Sequence, residues 1–151
     1  MTYSGGYALV LVLHLLTVAF VVGPSAVAGL TSARHARAGR AEALRDASRT
    51  TRLYSRATLV TVLLGTALVG LGDVGEQWDL GQLWLSASYA LSLVAVVLML
   101  GLVVPTQQRA AAAIEDGRDG GAFAGRLAAG AGLAALAWSA IIVLMVTKPG
   151  A

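Results

Sequence analysis

Residues 34–56, RHARAGRAEALRDASRTTRLYSR, lie between two apolar segments that contain no Lys, Arg, Asp or Glu. This stretch holds seven of the ten arginines in the chain. The 151 residues are 57% hydrophobic and only 13% charged, which is more apolar surface than a soluble domain of this length can bury. The sequence therefore predicts an integral membrane protein whose arginines mark one boundary of the bilayer.

Four apolar segments are long enough, or nearly so, to cross a bilayer as helices, which takes roughly 20 residues each. The third is expected to end at Pro105, because proline interrupts a helix. We predict an all-α fold, a single transmembrane domain over residues 1–151 with four helices in an antiparallel bundle. The predicted spans cover residues 7–30, 57–72, 82–104 and 125–147, and the long loops cover residues 31–56 and 105–124.

The distribution of basic residues predicts the orientation. Ten of the eleven Lys and Arg residues fall in or beside the two long loops, and only Lys148 falls on the other side. Because Lys and Arg are retained in the cytoplasm, we expect both loops there and both termini outside, in the inner membrane of a bacterium. A signal peptide ending at residues 26–28 is the competing interpretation, but no basic residue precedes the apolar run, which is long enough to span.

Four of the arginines form a predicted stripe. Arg45, Arg49, Arg52 and Arg56 are spaced by four, three and four residues, so a helix from about Ala41 into the second span puts them on one face. Such a stripe beside the membrane attracts anionic phospholipids, at about 1 kcal/mol per charge. The alternative is that the arginines only set the orientation. Nucleic-acid binding is disfavoured, because the stripe lacks a series of interleaved aromatic residues as a stacking platform and has no nucleic-acid-reading module.

His14 is the candidate for chemistry within the bilayer. It lies in the first span, roughly 10 Å from the predicted outer end at 1.5 Å per residue. A neutral imidazole ligates haem iron or a transition metal, or hydrogen-bonds to a quinone. A haem would take its second ligand from Met99, Met145 or a second chain, since His35 is expected on the opposite side. The ordinary interpretation is a packed histidine whose partner is Thr17, a serine of the third helix or a backbone carbonyl.

Further polar residues are expected at the same depth as His14. Ser88, Tyr89 and Ser92 of the third helix, together with Trp138, could line a small pocket with it or merely form hydrogen bonds between helices. The acids of the outer loop give only weak evidence for a divalent cation; they are Asp73, Glu76 and Asp79. No catalytic residue and no metal site are predicted, because the chain has no cysteine and no recognisable hydrolase, protease or nucleotide-binding motif.

Small residues recur at helical spacing in two spans, which lets neighbouring backbones approach closely. Each ridge is interpreted either as a homodimer seam or as packing within the bundle. The second span has the pairs Thr61 and Gly65, and Thr66 and Gly70. The fourth span has Ala124, Ala128, Gly132, Ala135 and Ser139.

The chain resembles an uncharacterised bacterial family of predicted four-helix integral membrane proteins, catalogued as a domain of unknown function. The matching marks are Leu13-His14, Gly23 nine residues later, the arginine-rich first loop and the ending MVTKPG at 145–150. Where that family tends to show a tryptophan before paired glycines, this chain has VVGP at 21–24. More distantly, it is similar to copper-resistance membrane proteins and to the protoporphyrinogen oxidase membrane family. Those likenesses imply haem or copper handling with His14 as a ligand, although no intramembrane lysine matches the oxidase.

The expected function follows from these features. The chain is predicted to be an accessory or scaffold subunit, either as a homo-oligomer or within a larger membrane complex. The alternative is a redox protein that binds haem or a quinone at His14. Transport is disfavoured, because the spans contain no charged residue to couple it, although a dimeric channel is conceivable.

Overall fold

The computed structural model describes residues 5–71 and 81–149. Four long helices account for nearly all of them, and each is long and apolar enough to cross a membrane. The described residues contain no β-strand. The predicted all-α fold with four membrane helices is therefore confirmed. The helices are α1 (Gly5–Arg37), α2 (Ala41–Leu71), α3 (Leu83–Glu115) and α4 (Gly120–Thr147).

The helices are arranged as a ring. Helix α1 packs against α2 and α4, and α3 packs against the same two neighbours from the other side. The turns after α1 and α3 are short, so α1 runs antiparallel to α2, and α3 to α4. Contacts of Thr66 with Tyr89 and of Arg45 with Glu115 show that α2 and α3 are antiparallel too. Alanine dominates the buried core, which allows the helix backbones to approach closely. The buried alanines include Ala33, Ala36, Ala95, Ala110, Ala131 and Ala134.

Prolines are accommodated inside α1 and α3 rather than ending them. Each helix widens into a π-helical stretch, Val18–Val22 or Leu98–Val103, and the α-helix then resumes with Pro24 or Pro105 in its first turn. A proline has no N–H and its ring clashes with the carbonyl four residues earlier, and a wider turn relieves both demands. The predicted end of the third helix at Pro105 is wrong, because the helix continues to Glu115.

The long loops expected at 31–56 and 105–124 shrink to the turns 38–40 and 116–119. Gly39 and Gly117, with φ of 64° and 75°, take the left-handed conformation that ends each helix. The N–H groups of Arg40 and Arg118 then donate back to the carbonyls of the last turn, at 3.1 and 2.8 Å. His35 consequently lies on the last turn of α1, and the stripe arginines lie on α2, as their spacing predicts.

The small residues of α4 divide between two faces. The face that packs into the bundle includes Leu127, Ala131 and Ala134. Within the predicted ridge Ala124 is buried, but Gly132 and Ala135 are half-buried, and Ala128 and Ser139 are exposed. A Cβ placed on Gly132 would meet no atom within 4 Å. Most of this ridge therefore faces away from the other three helices.

Candidate functional site

His14 is buried at the contact between α1 and α2, with only 8% of its surface exposed. Its Nδ1 lies 3.0 Å from the backbone oxygen of Thr61. A carbonyl oxygen only accepts hydrogen bonds, so Nδ1 carries the proton in this contact. In the neutral ring the lone pair is then on Nε2. Of the three kinds of partner expected for a packed histidine, this one is the backbone carbonyl.

Gly65 provides the space for this hydrogen bond. A Cβ on Gly65 would lie only 3.1 Å from His14 Cε1, so the imidazole packs directly on the backbone of α2. The pair formed by Thr61 and Gly65 is thus used for packing within the bundle. Thr17, another expected partner of the ring, instead donates its hydroxyl to the backbone oxygen of His14 at 2.8 Å. The ring is fixed in place through α2.

Two cavities adjoin His14 in the described part of the chain. The smaller, of about 100 Å³, lies between the four helices and is called the His14 cavity here. The larger, of about 380 Å³, extends towards the chain ends at Tyr7 and Lys148 and is called the terminal cavity. The terminal cavity falls within the usual size range of small-molecule sites. Residues that line both are His14, Val18, Gly65, Leu85, Ile142 and Met145.

The polar residues expected beside His14 line the His14 cavity. Ser88, Tyr89 and Ser92 are all in its wall, together with Trp138. The structure therefore brings these three residues together with His14, as predicted. Their role in binding a cofactor stays a prediction. The number of residues from the outer end of each span was enough to predict that these side chains lie at the same depth as His14, because α1 and α3 both begin on the predicted outer side.

The hydroxyl protons of these residues are already engaged. Ser88 donates to the carbonyl of Trp84 at 2.7 Å, and Ser92 donates to the carbonyl of Ser88 at 2.8 Å. Tyr89 lies 2.7 Å from the hydroxyl of Thr66. Because Thr66 donates its own proton to the carbonyl of Val62 at 2.9 Å, the tyrosine is the donor between them. What remains on each hydroxyl is its lone pairs.

The walls of the His14 cavity therefore offer mainly acceptors. His14 Nε2 accepts, and so do the oxygens of Ser88 and Ser92. Two donors stand among them: Thr61 Oγ1 is buried without a hydrogen-bond partner, and Trp138 in the same wall carries an indole N–H, which only donates. A buried polar atom without a partner costs stability unless water or a ligand satisfies it. The site fits a molecule that both donates and accepts hydrogen bonds.

Other residues considered for a metal or haem site are dispersed. His35 lies 21 residues beyond His14 on the same helix, roughly 30 Å away at 1.5 Å per residue. Met99 packs beneath Gly29, with its Cε 2.9 Å from where a Cβ would stand. Met145, in contrast, lines both cavities with His14.

No group of three or more His, Asp or Glu suited to a metal ion occurs among residues 5–71 and 81–149. Asp73, Glu76 and Asp79 lie outside the described residues.

Gln107 was missed as a buried polar residue. It is fully buried, and its Nε2 donates to Ser32 Oγ at 2.7 Å and to Thr51 Oγ1 at 3.3 Å. The sequence contains a signal that could have found it, because Gln107 follows Met99 and Val103 at intervals of four residues. Ending the third helix at Pro105 removed Gln107 from that inward face.

The four arginines of the predicted stripe line one groove between α2 and α3, with a volume of about 590 Å³. The same groove includes Ser48, Leu53, Gln108 and Ala111, and is called the arginine groove here. It shares no residue with the cavities at His14. The alignment on one helix face expected from the spacing is therefore observed, whereas lipid binding stays a prediction.

Comparisons with known proteins complete this description. No curated protein and no solved structure matches the chain. The likeness to copper-resistance proteins and to the protoporphyrinogen oxidase family stays a prediction. A family model described as a predicted integral membrane protein, DUF2269, matches residues 8–149, which include His14, Gln107 and Met145. The chain therefore belongs to DUF2269, a family of predicted integral membrane proteins.

Proposed function

We propose that the chain binds an apolar molecule with a hydroxyl group, of the quinol class, at His14 within the membrane. The observation that carries this proposal is the hydrogen bond from His14 Nδ1 to the carbonyl of Thr61, which leaves Nε2 as an acceptor beside two cavities. A quinol donates hydrogen bonds from its hydroxyls, whereas the corresponding quinone only accepts them. The neutral imidazole in this tautomer is therefore complementary to the reduced form.

The cavities support a ligand with a polar end and an apolar body. The polar end enters the His14 cavity, where Thr61 Oγ1 can donate to it and the oxygens of Ser88 and Ser92 can accept from it. The apolar body occupies the terminal cavity, whose walls include Leu11, Leu68 and other aliphatic side chains. A membrane is the natural source of such a molecule, because the ligand partitions into lipid before it reaches the protein.

The test compares a short-chain quinol with its dimethyl ether, which has the same ring but cannot donate a hydrogen bond. Binding to the purified full-length protein is measured as ligand-induced thermal stabilisation in detergent. We expect the quinol to bind about tenfold more tightly, equivalent to roughly 1.4 kcal/mol. The variant His14→Leu should lose this preference, and Met99→Leu should keep it. Equal affinity of the wild type for both compounds would overturn the proposal.

Haem is the other ligand that the donor set admits. The lone pair on Nε2 is the one that ligates iron, and a hydrogen bond from Nδ1 to a carbonyl is the usual support for such a ligand. Met145 lines both cavities together with His14 and would be the second residue to hold the haem. The absorbance spectrum after haem-replete expression decides between the two ligands. A Soret band that disappears in His14→Ala would favour haem, and no band in the wild type would exclude it.

A second candidate function is that of a scaffold or accessory subunit that assembles as a homo-oligomer. It is supported by the outward position of the ridge on α4, where Ala128 and Ser139 are exposed and Gly132 leaves open space. We propose that this face packs against the same face of a second copy. The chain has no native cysteine, so Ala128→Cys should form a disulfide-linked dimer on mild oxidation in the membrane. Leu133→Cys, exposed elsewhere on α4, is the control, and equal cross-linking of both would count against this interface.

For the orientation, we propose that both termini face outward from the inner membrane of a bacterium. The support is the asymmetry of basic residues, because the two turns at 38–40 and 116–119 lie at the arginine-rich end of the bundle. Engineered cysteines at Ala38 and Ala122, which are exposed at that end, should react with an impermeant maleimide only after cell lysis. A cysteine at Pro149 should react in intact cells. The reverse pattern would overturn this orientation.

A further inference from the structure

The arginine groove is separate from the cavities at His14, so a ligand bound there would add to the function proposed above. Arg45, Arg49, Arg52 and Arg56 form one side of it along α2, and Gln108 and Ala111 form the other side on α3. A concave surface differs from a charged helix face, since several guanidinium groups can approach one anion together. We infer that this groove binds the phosphate group of an anionic molecule, with a membrane phospholipid as its source.

The charges in the groove are only partly neutralised. Arg45 is paired with Glu115 on α3, and Arg49 lies 3.7 Å from Asp46 with both side chains largely exposed, which is a weak contact. Within residues 5–71 and 81–149, Arg52 and Arg56 form no ion pair. These two side chains therefore hold the positive charge that is available to a ligand. A guanidinium group donates two parallel hydrogen bonds to a phosphate, which a lysine cannot do.

The position of the groove along α2 matches the depth of lipid headgroups. Arg56 immediately precedes the charge-free residues 57–71, so it lies where the polar part of α2 meets its apolar part. Arg52 is one turn above it, roughly 6 Å along the helix axis. Anionic headgroups lie at this level of a bilayer and attract basic residues there.

Apolar surface continues from the groove in the direction of the hydrocarbon. Leu53 lines the groove and is 64% exposed, and Leu59 and Val60 below it are 58% and 50% exposed. An acyl chain attached to the bound phosphate can lie on these side chains. A free phosphate ion would use the arginines but not this surface, and the combination therefore favours a lipid as the source.

The test is a titration of the purified full-length protein in neutral detergent, followed by native mass spectrometry. Phosphatidylglycerol is compared with phosphatidylcholine, which has the same phosphate but a compensating positive charge. We expect about tenfold tighter binding of phosphatidylglycerol. The double variant Arg52→Gln with Arg56→Gln should reduce this preference to less than about threefold. Arg34→Gln with Arg37→Gln removes the same charge from exposed positions on α1 and should leave the preference unchanged.

Competition identifies the source of the phosphate group. If millimolar inorganic phosphate does not displace phosphatidylglycerol from the wild type, the ligand is the lipid. If it does displace the lipid, the groove is a site for free phosphate, and the assignment to a lipid is wrong. An equal loss of preference in the two double variants would overturn the site altogether, because net charge alone would then explain the binding. The quinol assay at His14 is independent of each of these outcomes.

Discussion

Gln107 and His14 both join helices by hydrogen bonds within the bundle, but their surroundings differ. Gln107 has no exposed surface and links α3 to Ser32 of α1 and Thr51 of α2. His14 links α1 to the carbonyl of Thr61 on α2 and lies in the walls of two cavities. Neither of those cavities reaches Gln107. One polar side chain is enclosed by packed neighbours, and the other stands beside unfilled volume.

Both residues are buried, so burial alone does not distinguish a structural role from a binding role, whereas the presence of a cavity does. Gln107 is enclosed by neighbouring side chains and donates two hydrogen bonds from Nε2, although its Oε1 has no partner, and the dispersion contacts around it stabilise the fold. At His14 the two cavities leave part of the side chain without packing contacts, so this residue contributes less to the stability of the fold. Space of this kind next to an oriented lone pair is what a ligand requires. We therefore expect substitutions at Gln107 to lower mainly the stability of the fold, and substitutions at His14 to lower mainly the binding of a ligand.

The largest effect on stability is expected for Gln107→Ala. The change removes both hydrogen bonds to Ser32 and Thr51 and leaves a cavity where three helices meet. We expect a loss of about 3 kcal/mol in the free energy of unfolding, most of it from lost packing. Titration with a denaturing detergent measures it. Gln108→Ala, at the exposed neighbouring position, should change the value by less than about 0.5 kcal/mol. Similar losses in both variants would show that Gln107 is not a structural link.

Gln107 also marks the limit of what the sequence could predict. The four spans and the alignment of Arg45, Arg49, Arg52 and Arg56 were predicted, because hydrophobicity and helical periodicity are local properties of a chain. Whether Pro105 ends a helix depends on the preceding turn, which widens here and lets the helix continue. That adjustment is a property of the packed bundle, and it decides whether Gln107 lies in a turn or in the core.

The candidate site was predictable in composition but not in geometry. Ser88, Tyr89 and Ser92 could be placed near His14 by depth alone. The contact of the imidazole with Gly65 could not, because it depends on how α1 rotates against α2. For the same reason the sequence could not decide which of the two small-residue faces of α4 points inward. Both faces are compatible with close helix packing, and only the arrangement of the other three helices selects between them.

Gly65→Leu is expected to have the next largest effect. Even a Cβ at this position would lie 3.1 Å from His14 Cε1, so a leucine displaces the ring from the carbonyl of Thr61. We expect a loss of about 2 kcal/mol in stability and loss of quinol binding. Gly70→Leu, on the same helix with no atom within 4 Å of its Cβ position, should keep or slightly raise stability. Stabilisation by both leucines would contradict the packing described for His14.

His14→Leu sharpens the comparison with Gln107 most directly. The variant loses one hydrogen bond but adds apolar contacts beside the cavity, so the free energy of unfolding should fall by only about 1 kcal/mol. The tenfold preference for a quinol over its dimethyl ether should disappear. Gln107→Ala should show the reverse combination, with lower stability and an unchanged preference. If both variants lost stability and preference to the same extent, the two residues would have the same role.

The smallest effect is expected for Ser88→Ala. The hydroxyl proton of Ser88 is bound to the carbonyl of Trp84 within its own helix, so its removal should change stability by less than about 0.5 kcal/mol. The ligand loses one acceptor, and we expect its affinity to fall about threefold. Ser86→Ala, at an exposed position on the same helix, should change neither quantity. A large loss of stability in Ser88→Ala would instead assign this serine a structural role like that of Gln107.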